Sequence, residues 1–226
     1  MAITPEGKKH LGAATGTHSF VECYIKQKVS GWVKEVERLS AIANTQPHAA
    51  YAAFTHGLTR TYLARTTQDI EHLLKPLECV IRQQFLPAIT GQNAFNDADR
   101  DLMALPTRLG GLGIANPSHR SSTHFNNSNA ITAPLVNLIL QQSNVYPPET
   151  RRAQLRAKNH SRITRRQHEQ AEANEITKNL PPNLQRAMEV SSEKGASTWL
   201  STLLIEEHGF ALHKGAFRDA LFLNQS

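Results

Sequence analysis

The stretch Leu105-Pro106-Thr107-Arg108-Leu109-Gly110-Gly111-Leu112-Gly113-Ile114-Ala115-Asn116-Pro117 divides the chain. Three of the chain's twelve glycines stand here within four residues, with a proline on either side. Adjacent glycines permit positive φ, or a backbone approach that a Cβ would block. The large apolar Leu109, Leu112 and Ile114 point to a core beneath them. The pattern predicts a tight packing turn that joins two helical halves. Neither phosphate-loop pattern, Gly-x-Gly-x-x-Gly or Gly-x4-Gly-Lys-Ser/Thr, is met here. The turn therefore reads as structural rather than ligand-cradling.

Upstream of the turn the period is helical. Over 17–43, Phe20, Val21, Tyr24, Ile25, Val29, Trp32, Val33, Val36, Leu39 and Ile42 recur at three- and four-residue steps. Lys26, Lys28, Lys34, Glu35, Glu37 and Arg38 take the other side, and Gly31 allows a close crossing or a slight bend. Pro47 suits a restart, giving a helix over 47–65 anchored by Tyr51, Phe54, Leu58 and Tyr62. Asp69 is placed to begin the next helix, which Pro76 should kink or split and Pro87 should end. A short helix follows from Asp97 to Leu105. Residues 17–105 thus read as a compact antiparallel helical unit. Residues 8–16 suggest a strand or half a hairpin with no obvious partner strand, which points to sequence further upstream.

Downstream of the turn, 117–127 shows no clear period, and 129–142 is apolar-rich through Ile131, Leu135, Val136, Leu138, Ile139 and Leu140. Tyr146-Pro147-Pro148 makes an elbow. Residues 149–178 read as one long polar helix with few apolar positions, chiefly Leu155 and Ile163. Pro181-Pro182 closes it. A short helix over 183–192, a turn at Gly195 to Leu200 and a last helix over 213–223 complete the chain. The predicted class is all-α with a short N-terminal strand or hairpin.

The chain has 226 residues, enough for one large or two small domains, with 39% hydrophobic residues and a net charge of +6. The isoelectric point near 9.5 favours an anionic partner, nucleic acid first and an anionic membrane second. No apolar run spans a bilayer, so no membrane partner is expected. The start lacks the apolar core of a secretory signal. Cys23 and Cys79 fit no metal or redox spacing, which suits a reducing compartment, nucleus or cytoplasm, and both are expected as buried inert thiols.

The strongest candidate site is the basic run Arg151, Arg152, Arg156, Lys158, Arg162, Arg165 and Arg166, with no acid between 151 and 166. On a helix, Lys158, Arg162, Arg165 and Arg166 share a side and can track a phosphate backbone. The alternative is a solvated helix or a linker. A second candidate is Lys8 and Lys9, with His10, beside Gly12; the alternative is a solvent-exposed basic end. A third is Lys26 and Lys28, with Lys34 and Arg38, set against a plain amphipathic surface. Asp97-x-Asp99-x-Asp101 fails as a calcium loop, because Leu102 and Arg108 stand where Gly and Glu are required. Acids complementing a helix N-terminus explain it better. His119-x4-His124 and His208-x4-His213 lack a third ligand nearby, so no metal site is expected. No constellation of catalytic residues emerges.

The order of several segments resembles one region of a known family. They are Lys8-Lys-His-Leu-Gly-Ala-Ala-Thr-Gly-Thr17, Trp32-Val-Lys-Glu-Val-Glu-Arg-Leu39, Gln46-Pro-His-Ala-Ala-Tyr51, Leu105-Pro-x-x-Leu-Gly-Gly-Leu-Gly-Ile114, Ile131-Thr-Ala-Pro-Leu-Val136 and Glu193-Lys-Gly-Ala-Ser-Thr-Trp-Leu200. Together they resemble the part that follows the palm in reverse transcriptases of invertebrate non-LTR retrotransposons. The resemblance implies that 1–16 is a remnant of the primer-grip hairpin, 17–116 the helical thumb and 117–226 a linker region with a long basic helix. It implies a parent RNA-directed DNA polymerase that uses magnesium, and template–primer RNA or DNA and the palm domain as partners. The family's polymerase chemistry uses adjacent aspartates, and no Asp-Asp pair is present. Arg60 and Leu204 also depart from the family's usual residues. The chain on its own is therefore expected to hold nucleic acid without catalysing nucleotide transfer and without a cofactor. The alternative is a protein-interaction or scaffold module, or an inactive relic.

Overall fold

A computed structural model describes residues 6–10, 12–57, 61–93, 95–201 and 206–223. Leu58, Arg60 and Leu204 lie outside the described residues. The fold is all-α with a short antiparallel hairpin. That hairpin corrects the expectation of a missing partner strand. Strand β1 (Gly7–His10) pairs with β2 (Ala13–Gly16), Lys9 opposite Ala14. A two-stranded ribbon this short needs outside support. Tyr24 supplies it by donating its phenol to the Gly12 carbonyl at 2.8 Å.

Helix α1 (His18–Ala43) begins at Thr17, whose hydroxyl accepts from the Phe20 N–H, and buries Tyr24, Ile25, Val29, Trp32 and Val36. The single helix expected over 47–65 is instead broken. Helix α2 (Pro47–Ala52) widens into a π turn at Ala53–Gly57, and α3 (Thr61–Thr66) follows. Asp69 does not begin the next helix; it sits at φ 57, before α4 (Glu71–Val80). Pro76 lies inside α4 without splitting it, on an exposed side where water can reach the carbonyl left unpaired. Pro87 does not end the run either. The chain opens into a second π turn at Ile81–Phe85, and Pro87 falls in the first turn of α5 (Leu86–Thr90), where its missing N–H is tolerated. Gly91, at φ 83, ends it.

Helix α6 (Asp97–Ala104) opens on a capping box in which Asn96 and Asp99 bond each other's backbone N–H groups. After the glycine turn comes α7 (Pro117–Leu140), which makes the patternless 117–127 helical. Its Asn116 cap accepts from the N–H groups of Ser118 and His119. The small Ser118 and Ser121 are its buried residues, and α7 packs on both α3 and α4. Helix α8 (Pro148–Lys178) is the long polar helix, roughly 46 Å at 1.5 Å per residue. Helices α9 (Pro182–Ser192), α10 (Thr198–Ser201) and α11 (Lys214–Leu223) complete the order.

Two apolar clusters form, and the glycine turn belongs to both. Leu112 and Ile114 sit in the main core with α1, α2, α4 and α5. Leu105 and Leu109 sit in a smaller one with Leu102, Ala173 and Met188. The main core also takes Leu200, Phe217 and Leu221 from the far end of the chain. There His48 stacks on Phe217 at 5.0 Å, and its Nδ1 accepts from the Leu212 N–H at 3.1 Å. Arg218 donates to the Ala88 carbonyl at 2.7 Å.

The turn is held by buried polar contacts. Arg100, 2% exposed, donates from Nε to Glu78 Oε1 at 2.6 Å and from Nη2 to Oε2 at 2.8 Å. Its Nη1 donates to the Ile114 carbonyl at 2.7 Å. Tyr51 donates its phenol to the Leu112 carbonyl at 2.7 Å, and burial pushes that phenol well above its ordinary pKa. A Cβ on Gly111 would collide with the Leu105 carbonyl, so this glycine is required by close approach; Gly110, at φ 82, is required by conformation. Cys23 and Cys79 correct another expectation, for both are exposed free thiols. Each lies one step off its helix's buried stripe, beside Tyr24 and Val80.

Two measurements check this account. Gly111→Ala should lower stability by about 2 kcal/mol through overpacking, and Arg100→Met by about 3–5 kcal/mol by stranding Glu78, both read as lower melting temperatures by circular dichroism. Burial, partly opposed by the Trp199 backbone, depresses the pKa of His48 below its ordinary 6.5. The unfolded chain thus binds the proton more tightly. Stability should be full above pH 6.5 and fall as the pH drops below it, less steeply in His48→Gln.

Candidate nucleic-acid interface

Helices α3, α7 and α8 enclose a groove of about 430 Å³. Its charged lining is Arg65 from the last turn of α3 and Lys158, Arg162 and Arg165 from α8. His124, Asn127, Ser128, Ile131 and Thr132 of α7 form its floor, with Ser161 of α8. Among the described residues no carboxylate lines it. The helical period explains the α8 contribution, since positions 158, 162 and 165 are spaced by four and three residues and share one face.

His124 is half-buried and its pKa lies below the ordinary value. Burial is the larger cause, and the positive charges of Arg65, Arg120 and Arg165 act in the same direction. The nearby carboxylates on α8 are held in ion pairs. Glu169 accepts from Arg108 at 2.6 Å and lies 3.7 Å from Arg165. Glu172 accepts from Arg120 at 3.0 Å and lies 3.3 Å from His168. These pairs brace α8 against the glycine turn and α7.

The basic run therefore divides. Lys158, Arg162 and Arg165 meet in the groove. Arg166 is exposed but does not line it, and Arg151, Arg152 and Arg156 are exposed further toward the start of α8. Elsewhere, Lys9 and Lys28 come together over the Tyr24 ring, 5.2 and 5.7 Å from its centre. Lys26 is paired with Glu22 at 2.7 Å, and Lys8, Lys34 and Arg38 are exposed. The groove also recruits residues that the sequence did not mark. Arg65 stands alone on a short helix, and the spacing of His124 from His119 suggests at most a metal ligand. Their approach to α8 depends on the packing of α3 against α7, which leaves no local signal.

A second cavity, about 480 Å³, lies between α6, α7 and α8 and is lined by Asp101, His119, Arg120, Glu172 and Glu175 among others. Its mixed charge, with more acids than bases, is ill suited to a polyanion. The aspartates of 97–101 serve α6: Asp99 completes the capping box, and Asp97 pairs with Arg82 at 2.6 Å. Among the described residues no three His, Cys, Asp or Glu side chains converge to hold a metal, and no helix is long and apolar enough to cross a membrane.

Comparison of the chain with protein-family models, curated proteins and solved structures finds no match. A proton-NMR titration checks the electrostatics of the groove. His124 should titrate below pH 6.5, and Arg65→Ala should move its midpoint upward by removing a repelling charge.

Proposed function

We propose that this chain holds RNA or DNA by its sugar–phosphate backbone, without base specificity, in the groove between α3, α7 and α8. The observation that carries this reading is the convergence of four cations in one groove with no acid among the described residues of its lining. Phosphate contacts of this kind supply affinity and position without reading sequence. Arg, with its planar fork of donors, suits phosphate oxygens better than a point charge does. The exposed Arg151, Arg152 and Arg156 extend the same positive field toward the α8 N-terminus. The segment resemblances support a narrower form of the reading, in which the chain is the thumb and downstream linker of a retrotransposon reverse transcriptase. Nucleotide transfer and its magnesium would then belong to the palm.

A second reading, a protein-interaction module, has one surface in its favour. Ile139, Leu140, Val145 and Tyr146, at the junction of α7 and α8, are all at least half exposed.

Fluorescence anisotropy with a labelled single strand and a labelled primer–template duplex separates the two. Log affinity should fall linearly with log salt, by roughly 0.7 per phosphate contact on the single strand and 0.9 on the duplex. The triple variant Arg65→Ala, Arg162→Ala, Arg165→Ala should weaken binding and make the slope shallower by about two to three. Ile139→Ser with Leu140→Ser should leave both unchanged. Binding that ignores the triple variant removes the groove from the reading.

A further inference from the structure

We propose that the α3–α7–α8 groove is a phosphate subsite that takes up its anion together with one proton, held by His124. The inference rests on the reading of the chain as a holder of nucleic-acid backbone and adds a titrating donor to that grip.

The geometry supplies both halves of the linkage. In the groove, burial and the guanidinium groups of Arg65 on α3, Arg120 on α7 and Arg165 on α8 all act against a charged imidazole. Lys158 and Arg162 line the same cavity. Helix α4 also packs on α7 and carries Glu71, His72, Lys75 and Glu78, with Glu78 held by Arg100. On α8, Glu169 and Glu172 are held by Arg108 and Arg165 and by Arg120 and His168. Burial and the guanidinium groups thus favour the neutral ring, which offers one N–H donor. An entering phosphate offsets the surrounding cations, which relieves their repulsion of a charged ring at His124. The ring nitrogen's lone pair then accepts a proton from solvent, no other bond changes, and the imidazolium presents two donors. By linkage, whatever favours the proton favours the anion equally.

The site therefore holds phosphate more tightly as the pH falls through the bound-state pKa of His124, and the gain is complete below the free-state pKa. Each unit by which the anion raises that pKa multiplies affinity about tenfold at the acid end. Fully exposed arginines, such as those at 151, 152 and 156, cannot produce this profile, because they do not titrate in that range.

The test uses the full chain with two probes at fixed ionic strength, a labelled oligothymidylate and inorganic pyrophosphate. Affinity is measured from about pH 8 to about pH 5.5, where imidazoles titrate. Calorimetry in buffers of different ionisation heat counts the protons taken up. For the wild type, affinity should rise toward acid, with net proton uptake at pH 7. His124→Gln keeps a neutral donor and cannot titrate. It should match the wild type near pH 8, lose the acid-side gain relative to it and take up fewer protons, a comparison in which the titration of pyrophosphate itself cancels. Circular dichroism confirms that the variant is folded, and Arg162→Ala provides a second check by weakening both probes at every pH. Identical pH profiles for wild type and His124→Gln overturn the proposal, as does binding without proton uptake. Pyrophosphate binding with His124-dependent uptake but no oligothymidylate binding upholds the subsite and sinks the nucleic-acid reading. Oligothymidylate binding indifferent to His124 does the reverse, and failure of both probes to bind sinks both.

Discussion

The buried guanidinium of Arg100 is the contact on which the rest of the architecture depends. It joins Glu78 on α4, its own helix α6 and the Ile114 carbonyl of the glycine turn. A buried ion pair is a weak source of net stability, because desolvation offsets most of the attraction. Its effect here is on register. All three groups are satisfied only when the turn stands in one position relative to α4 and α6. That position places Leu112 and Ile114 in the main core and Leu105 and Leu109 in the smaller one. The smaller core holds Ala173 of α8 and Met188 of α9. The placement of the long polar helix, and so of the groove, follows from an ion pair to which α8 contributes no atom.

Helix α8 is polar nearly all round and could not dock by hydrophobic burial along its whole length. Its charges are sorted by position. The second half carries Glu169, Glu172 and Glu175, and the first two are tied to Arg108 and Arg120 outside the helix. Residues 151 to 166 carry seven bases and no acid, five of the bases in the first half. Cations near a helix N-terminus oppose the helix dipole. The effect is confined to the terminal turns, and these suit it, with Glu149 in the first and Lys178 in the last.

The C-terminal segment shows the same dependence on distant contacts. Leu200, Phe217 and Leu221 enter the core built by α1, α2, α4 and α5. His48, Trp199 and Phe217 interlock there by ring contacts of 5.0 to 6.1 Å. In contrast, the apolar end of α7, from Leu135 to Leu140, contains exposed residues despite its composition.

The sequence by itself determined the helical class, the extents of α1, α6, α8 and α9, the packing role of the glycine turn and the basic character of α8. These follow from spacing, capping and charge within a few neighbouring residues, and such forces act locally. It did not determine the π turns, the continuation of the helix through Pro76 and Pro87, the exposure of Cys23 and Cys79, or the pairing of β1 with β2. Nor did it disclose that Arg65 and His124 would face Lys158, Arg162 and Arg165. Only the tertiary structure decided these, because each depends on which side of an element meets another element far along the chain. A cation's neighbours across a groove are set by how helices pack, and helical periodicity carries no record of the partner.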